Sequence, residues 1–147
     1  MYCDVTDILA RINKVDLNKI CDDDGDGLYD ASVIDSAIMN ASGIVDGYIA
    51  VYKDVPLSVV PALIRSITAD IVCSILAPRG HKYWIGSAIY DDLTARGNKA
   101  TYMLYGIHNG TIAIDDDTSL LNCYVEARER DFNDGVWERY WNGGVGE

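Results

Sequence analysis

The sequence predicts a mainly α fold: a small helical bundle of about four helices with a short β-like segment and an extended C-terminal arm. Three observations predict it. Apolar residues recur at steps of three and four through the long segments; clusters of Gly, Pro and Asp separate those segments; and the last thirty or so residues lose the period altogether. The division that follows is a helical core over residues 1–114 and a C-terminal extension over 115–147.

The elements follow in order. Asp4 or Thr6 is placed to cap a first short helix with Val5, Ile8, Leu9 and Ile12 on one face, and Val15, Leu17 and Ile20 form a second apolar patch. Residues 22–30, DDDGDGLYD, combine two glycines with five aspartates and read as a loop. Asp30 or Ser32 can cap the next helix, whose apolar positions run Val33, Ile34, Ala37, Ile38, Ala41, Ile44, Val45, Tyr48, Ile49 and Tyr52. Gly43 and Gly47 lie inside it at a cost of about 1 kcal/mol each, which points to a neighbouring element packed closely against that side.

Pro56 ends this helix, and Pro61 suits the first turn of the following one, where Leu63, Ile64, Ile67, Ile71, Val72 and Ile75 make a second stripe up to Pro78. Asp70 beside that stripe reads as a solvated edge residue or as half of a structural salt bridge, because no second acid or base shares the segment. After a loop at 79–87, a helix beginning near Ala88 carries Ile89, Leu93, Ala100, Met103, Leu104 and Ile107, with a kink or restart expected at Gly97 and Asn98. Asn109 and Gly110 make a stop, and Thr111 to Ile114 alternate as a very short strand. Beyond Thr118, Leu120, Leu121, Tyr124 and Val125 suggest a brief helix, and the end is rich in aromatic residues, Gly and charge. That composition suits an arm ordering on a partner as well as a flap over the chain's own core.

The totals exclude several classes. With 23 acidic and 12 basic residues the net charge is −11, a field that repels phosphate, so DNA is expected only as a passing neighbour. No run of about 18 apolar residues is present and the N-terminus lacks signal-peptide character, so a soluble protein made in a cytoplasm, without a membrane partner, is expected. The four cysteines, Cys3, Cys21, Cys73 and Cys123, are widely spaced and accompanied by two histidines, His81 and His108. They read as small, reduced core side chains rather than zinc ligands. Neither a nucleophile elbow nor a phosphate-cradling loop is present, and no enzyme is expected.

The aspartate loop carries the one motif-grade signal. Taking Asp22 as position 1 of a calcium loop puts Asp24, Asp26, the Leu28 carbonyl and Asp30 at positions 3, 5, 7 and 9, with Gly27 at 6. Position 12 is Val33 where a bidentate Glu belongs, so two oxygens are missing. Four carboxylates so close repel one another without a cation, whereas the bland alternative is a solvated acidic turn. No resident cofactor is expected other than Ca2+ at this loop.

In order and spacing, Tyr2 with Asp7, Leu9 and Arg11, the run 22–27, Ala37 to Tyr48 ending in Asp46-Gly47-Tyr48, Pro56-Leu57, Val60 to Ile64, Asp70-Ile71 and Gly110-Thr111-Ile112 resemble the small head-completion protein family of Mu-like phages and prophages. The resemblance covers residues 2–114 and leaves 118–147 as an extension beyond the familiar end. It implies a virion protein at the neck between head and tail, made in the host cytoplasm: a connector or adaptor that assembles as a homo-oligomeric ring, a dodecamer in such connectors. Portal protein on one side, a tail-side stopper or terminator on the other, and DNA passing through the lumen are the implied partners. Related connectors clasp the portal with a C-terminal tail, which makes Tyr124, Phe132, Trp137, Tyr140 and Trp141 portal-contact candidates. A calcium-binding interaction module with a single EF-hand-like loop is the alternative from another class.

Overall fold

The computed structural model describes residues 1–80 and 88–114; the brief helix, the aromatic arm, Cys123 and His81 lie outside the described residues. Five α-helices and one 3-10 turn make up the described core: α1 Val5–Leu9, α2 Lys14–Cys21, α3 Ala31–Ile49, α4 Ala62–Leu76, the 3-10 turn Ala77–Gly80, and α5 Ala88–His108.

The N-terminal segment forms two helices because two side chains each start one. Asp4 accepts from the Thr6 and Asp7 amides while Asp7 accepts from the Asp4 amide, a reciprocal cap on α1. Asn13 then accepts from the Asp16 amide and starts α2. In α2, Leu17, Ile20 and Cys21 share the buried face, and Val15 is exposed because two residues back is about 200° around the helix.

Helix α4 lies at the centre of the bundle and packs against α1, α3 and α5. Its burial is accordingly wider than a stripe, taking in Ile64, Ile67, Thr68, Ala69, Ile71, Val72, Cys73 and Leu76. The one hydroxyl in that set is satisfied locally, since Thr68 donates to the Ile64 carbonyl at 2.7 Å. Pro61 sits just before the first turn of α4 rather than within it. Helix α3 contributes Ile34, Ala37, Ile38, Ala41, Val45 and Ile49 to the core, and α5 contributes Leu93, Ala100, Leu104 and Ile107. Ile89 and Ile44, counted with the apolar stripes from their spacing, are respectively 43% and 38% exposed.

The glycines divide differently from expectation. A methyl group added at Gly43 or Gly47 would meet nothing within 4 Å, so no element packs against that side of α3 among the described residues. The close approach occurs at Gly97 instead, where a Cβ would lie 2.3 Å from the Ser74 Cβ of α4. There α5 continues through Gly97 as one helix, without the expected restart.

No strand forms at Thr111–Ile114, nor elsewhere among the described residues. Gly110 takes φ +71°. Its amide donates to the Ile107 carbonyl at 3.0 Å, and the Thr111 amide donates to the Gly106 carbonyl at 2.9 Å. These two bonds are a Schellman closure, and with the Ile112 amide also donating to the Gly106 carbonyl at 3.1 Å, the first two amides of the expected strand are taken. Among the described residues no helix is long and apolar enough to cross a membrane.

Candidate functional site

Among the described residues, three regions carry polar chemistry: the acidic loop between α2 and α3, the polar contacts that tie the N-terminus to the bundle, and the outer faces of α3 and α5. The loop is organised by its own carboxylates. Asp22 accepts from the Gly25 amide at 2.6 Å and the Gly27 amide at 2.9 Å, Asp24 from the Asp26 amide, and Asp26 from the Leu28 amide. Gly25 and Gly27 have φ of +82° and +85°, the left-handed backbone that turns the chain back on itself. Asp30 stands at the N-cap position of α3 but makes no cap bond; it accepts from the Asp23 amide at 2.7 Å, and its own amide closes on the Cys21 carbonyl.

This folding brings oxygens of Asp22, Asp24 and Asp30 within 4.8 Å of one another. Asp26 is not in that group, and Val33 lies in the first turn of α3, where it offers no oxygen. Such a cluster can supply three carboxylates to a hard cation, short of the six to eight oxygens calcium takes. Arg79, from the 3-10 turn, donates to the Ile20 carbonyl at 2.9 Å and pairs with Asp23, clamping the end of α2 beside the loop.

The N-terminal contacts are made by residues that carry the resemblance. The Tyr2 hydroxyl donates to Asp46 on α3 and accepts from the Leu57 amide at 2.9 Å, while the Tyr2 amide donates to Ser42. Burial, then the Asp46 hydrogen bond, raises the Tyr2 phenol above its usual range. Arg11 pairs with Asp70 at 2.5 Å and also donates to the Asp7 carbonyl and to Ser66, so α1 is fastened to α4. Asp70 is thereby half of a structural ion pair, one of the two readings its position left open. His108 is likewise occupied: its Nδ1–H donates to the Tyr48 carbonyl at 3.2 Å, with the two rings edge to face.

The described thiols are buried in the core. Burial pushes Cys3 and Cys21 up to about 11 and Cys73 up to about 12, so all three stay protonated at neutral pH and are poor nucleophiles. Tyr102 and Tyr105 of α5 are 81% and 58% exposed, which the sequence reading did not bring out. A signal was present: Tyr102 lies two residues from both Ala100 and Leu104, hence about 160° from each, on the side opposite the buried stripe.

The family described as Bacteriophage Mu, Gp36 matches residues 2–122, which takes in the described core and eight residues beyond Ile114. Over 65 residues the chain is 35% identical to "Gene product J" of Escherichia phage Mu, a stretch amounting to 44% of this chain and 46% of that protein. The match therefore spans less than half the length of that relative.

Proposed function

Since the chain belongs to the Bacteriophage Mu Gp36 family, we propose that it is a structural virion protein of the neck, a head-to-tail connector working as one copy of a ring between the portal and a tail-side stopper or terminator. The observation that carries this reading is the family match across residues 2–122. Two features of the molecule support it. The residues through which the sequence resembles head-completion proteins, Tyr2, Arg11, Asp46, Leu57 and Asp70, are spent on fastening α1 to α3 and α4. Their role is to make a rigid body, which is what a subunit in a load-bearing ring needs. The acidic balance suits a lumen wall past which DNA slides without adhering.

In this reading the aromatic residues Tyr124, Phe132, Trp137, Tyr140 and Trp141 of the extension meet the portal, as large aromatic side chains commonly anchor interfaces. A cation at Asp22, Asp24 and Asp30 serves to stiffen the α2–α3 connection. Calcium there has no catalytic part, and the stand-alone calcium module is not favoured by any observation beyond the cluster itself.

Genetic removal of the chain from its phage tests the function. The expected result is filled heads and free tails that do not join, with joining restored when the protein is supplied in trans. Normal yields of joined, infective particles without it would contradict the proposal.

A further inference from the structure

We infer that the segment just beyond Ile114 returns to the core and seats its Leu120–Leu121 pair in an apolar groove between the end of α5 and the turn that follows α3. The groove and its tether are properties of the single chain, so this docking goes beyond the neck reading and does not depend on it.

The groove has a volume of about 250 Å³ and is lined chiefly by Tyr52, Ile107, Gly110, Ile112 and Ile114. It is built by the way α5 ends. At φ +71° Gly110 turns the chain back, and Ile112 comes to lie over Gly106, where an added Cβ would stand 2.7 Å from the Ile112 Cδ1. The Thr111 hydroxyl holds this turn by donating to the Gly106 carbonyl at 2.9 Å. On the other side, the Tyr52 hydroxyl donates to the His108 carbonyl at 2.8 Å, which fixes a residue that is itself 53% exposed. Ile112 and Ile114 pack on the core but are only partly buried. The walls are therefore set by hydrogen bonds and close packing, and among the described residues nothing fills the space between them.

The path of the chain identifies the occupant. Ile114 is both a wall of the groove and the last described residue, and residues 115–147 continue from it. Asp115, Asp116 and Asp117 cannot enter an apolar site without a costly loss of hydration, and Thr118 and Ser119 are polar. Leu120 and Leu121 are thus the first large apolar side chains beyond the groove. The six residues from Ile114 to Leu120 span at most about 20 Å when extended, ample slack for a return to a groove that Ile114 itself lines. Size agrees, since the space falls below the roughly 300–1,000 Å³ of sites that take small molecules and suits aliphatic side chains. So does concentration. A segment on so short a tether is present at about millimolar effective concentration, whereas a second copy or a foreign partner has to compete from free solution. The family match ends at residue 122, so it takes in both leucines and stops short of Tyr124, Phe132, Trp137, Tyr140 and Trp141. With the pair docked, the core runs to residue 122, and the aromatic residues after it are the part left to reach a partner.

The test is methyl nuclear magnetic resonance on the full chain with labelled isoleucine and leucine. The expected result is through-space contact from the methyls of Leu120 or Leu121 to those of Ile107, Ile112 or Ile114, present within one chain and absent between differently labelled chains that have been mixed. Leu120→Ser combined with Leu121→Ser should abolish those contacts, shift the three isoleucine signals and lower the melting temperature by at least about 4 °C. Trp137→Ser combined with Trp141→Ser should leave contacts, signals and melting as they were. No leucine contact in the unmodified chain, contact only between chains, a double leucine variant that melts with the unmodified chain, or loss of the contacts in the tryptophan variant would overturn the docking. The unmodified chain decides the matter even if the leucine variant fails to fold. None of these results touches the neck assignment, which the genetic test decides separately.

Discussion

The crossing of α4 and α5 turns on a single missing methyl group. Gly97 lets the two helices meet at Ser74, whose Oγ donates back to the Ile71 carbonyl at 2.8 Å and so keeps its polar atom satisfied in the contact. Alanine at 97 adds a carbon where Ser74 already stands, and the helices must separate. Overpacking costs roughly 1–3 kcal/mol and the gain in helix propensity offsets about 1 kcal/mol of it, so Gly97→Ala should destabilise the chain by up to roughly 2 kcal/mol net in urea unfolding. Gly43→Ala and Gly47→Ala, by contrast, should leave the isolated subunit as stable or slightly more so, and a loss of stability there would show that those sites are packed within the chain. This contrast marks a limit of the sequence. A glycine announces bare backbone, but what approaches it is a tertiary fact, and spacing alone pointed to the wrong pair. Asp70 was readable only as a solvated edge residue or half of a salt bridge, because its partner Arg11 is fifty-nine residues away along the chain.

Elements were legible where periodicity and punctuation agreed. Helices α3 and α4 follow apolar steps of three and four over long stretches, bounded by Asp30 and by Pro61, and α5 stops at Gly110 as its stop signal implied. The strand over 111–114 failed because four alternating residues are weak evidence, and the helix end claims the Thr111 and Ile112 amides first. The loop between α2 and α3 is intermediate. Its turn was plain in DDDGDG, whereas the geometry separates Asp26 from Asp22, Asp24 and Asp30. If those three carboxylates take a hard cation, calcium should bind with a modest affinity set by the missing position-12 ligand and raise the melting temperature. Asp24→Asn should weaken it. Calorimetry showing no calcium heat, with melting unchanged by chelator, would leave the loop as a solvated acidic turn.

At the scale of the whole molecule, the core is a bundle organised around α4 and fastened at its N-terminus by Tyr2 and Arg11. The core is legible in one chain because its information is local and periodic. The outer surface is not, because a surface is defined by what covers it, and Tyr102 and Tyr105 look like ordinary helix residues until their exposure is known. Membership of a phage protein family supplies what one chain lacks, namely a place in a particle. The most direct measurement is an electron cryomicroscopy reconstruction of the neck of the intact particle, at a resolution that separates helices. It should contain a closed ring of this chain's helical core between portal and tail, with the aromatic extension reaching the portal. A neck whose density is fully accounted for by other proteins, in particles that lack this chain, would contradict the account.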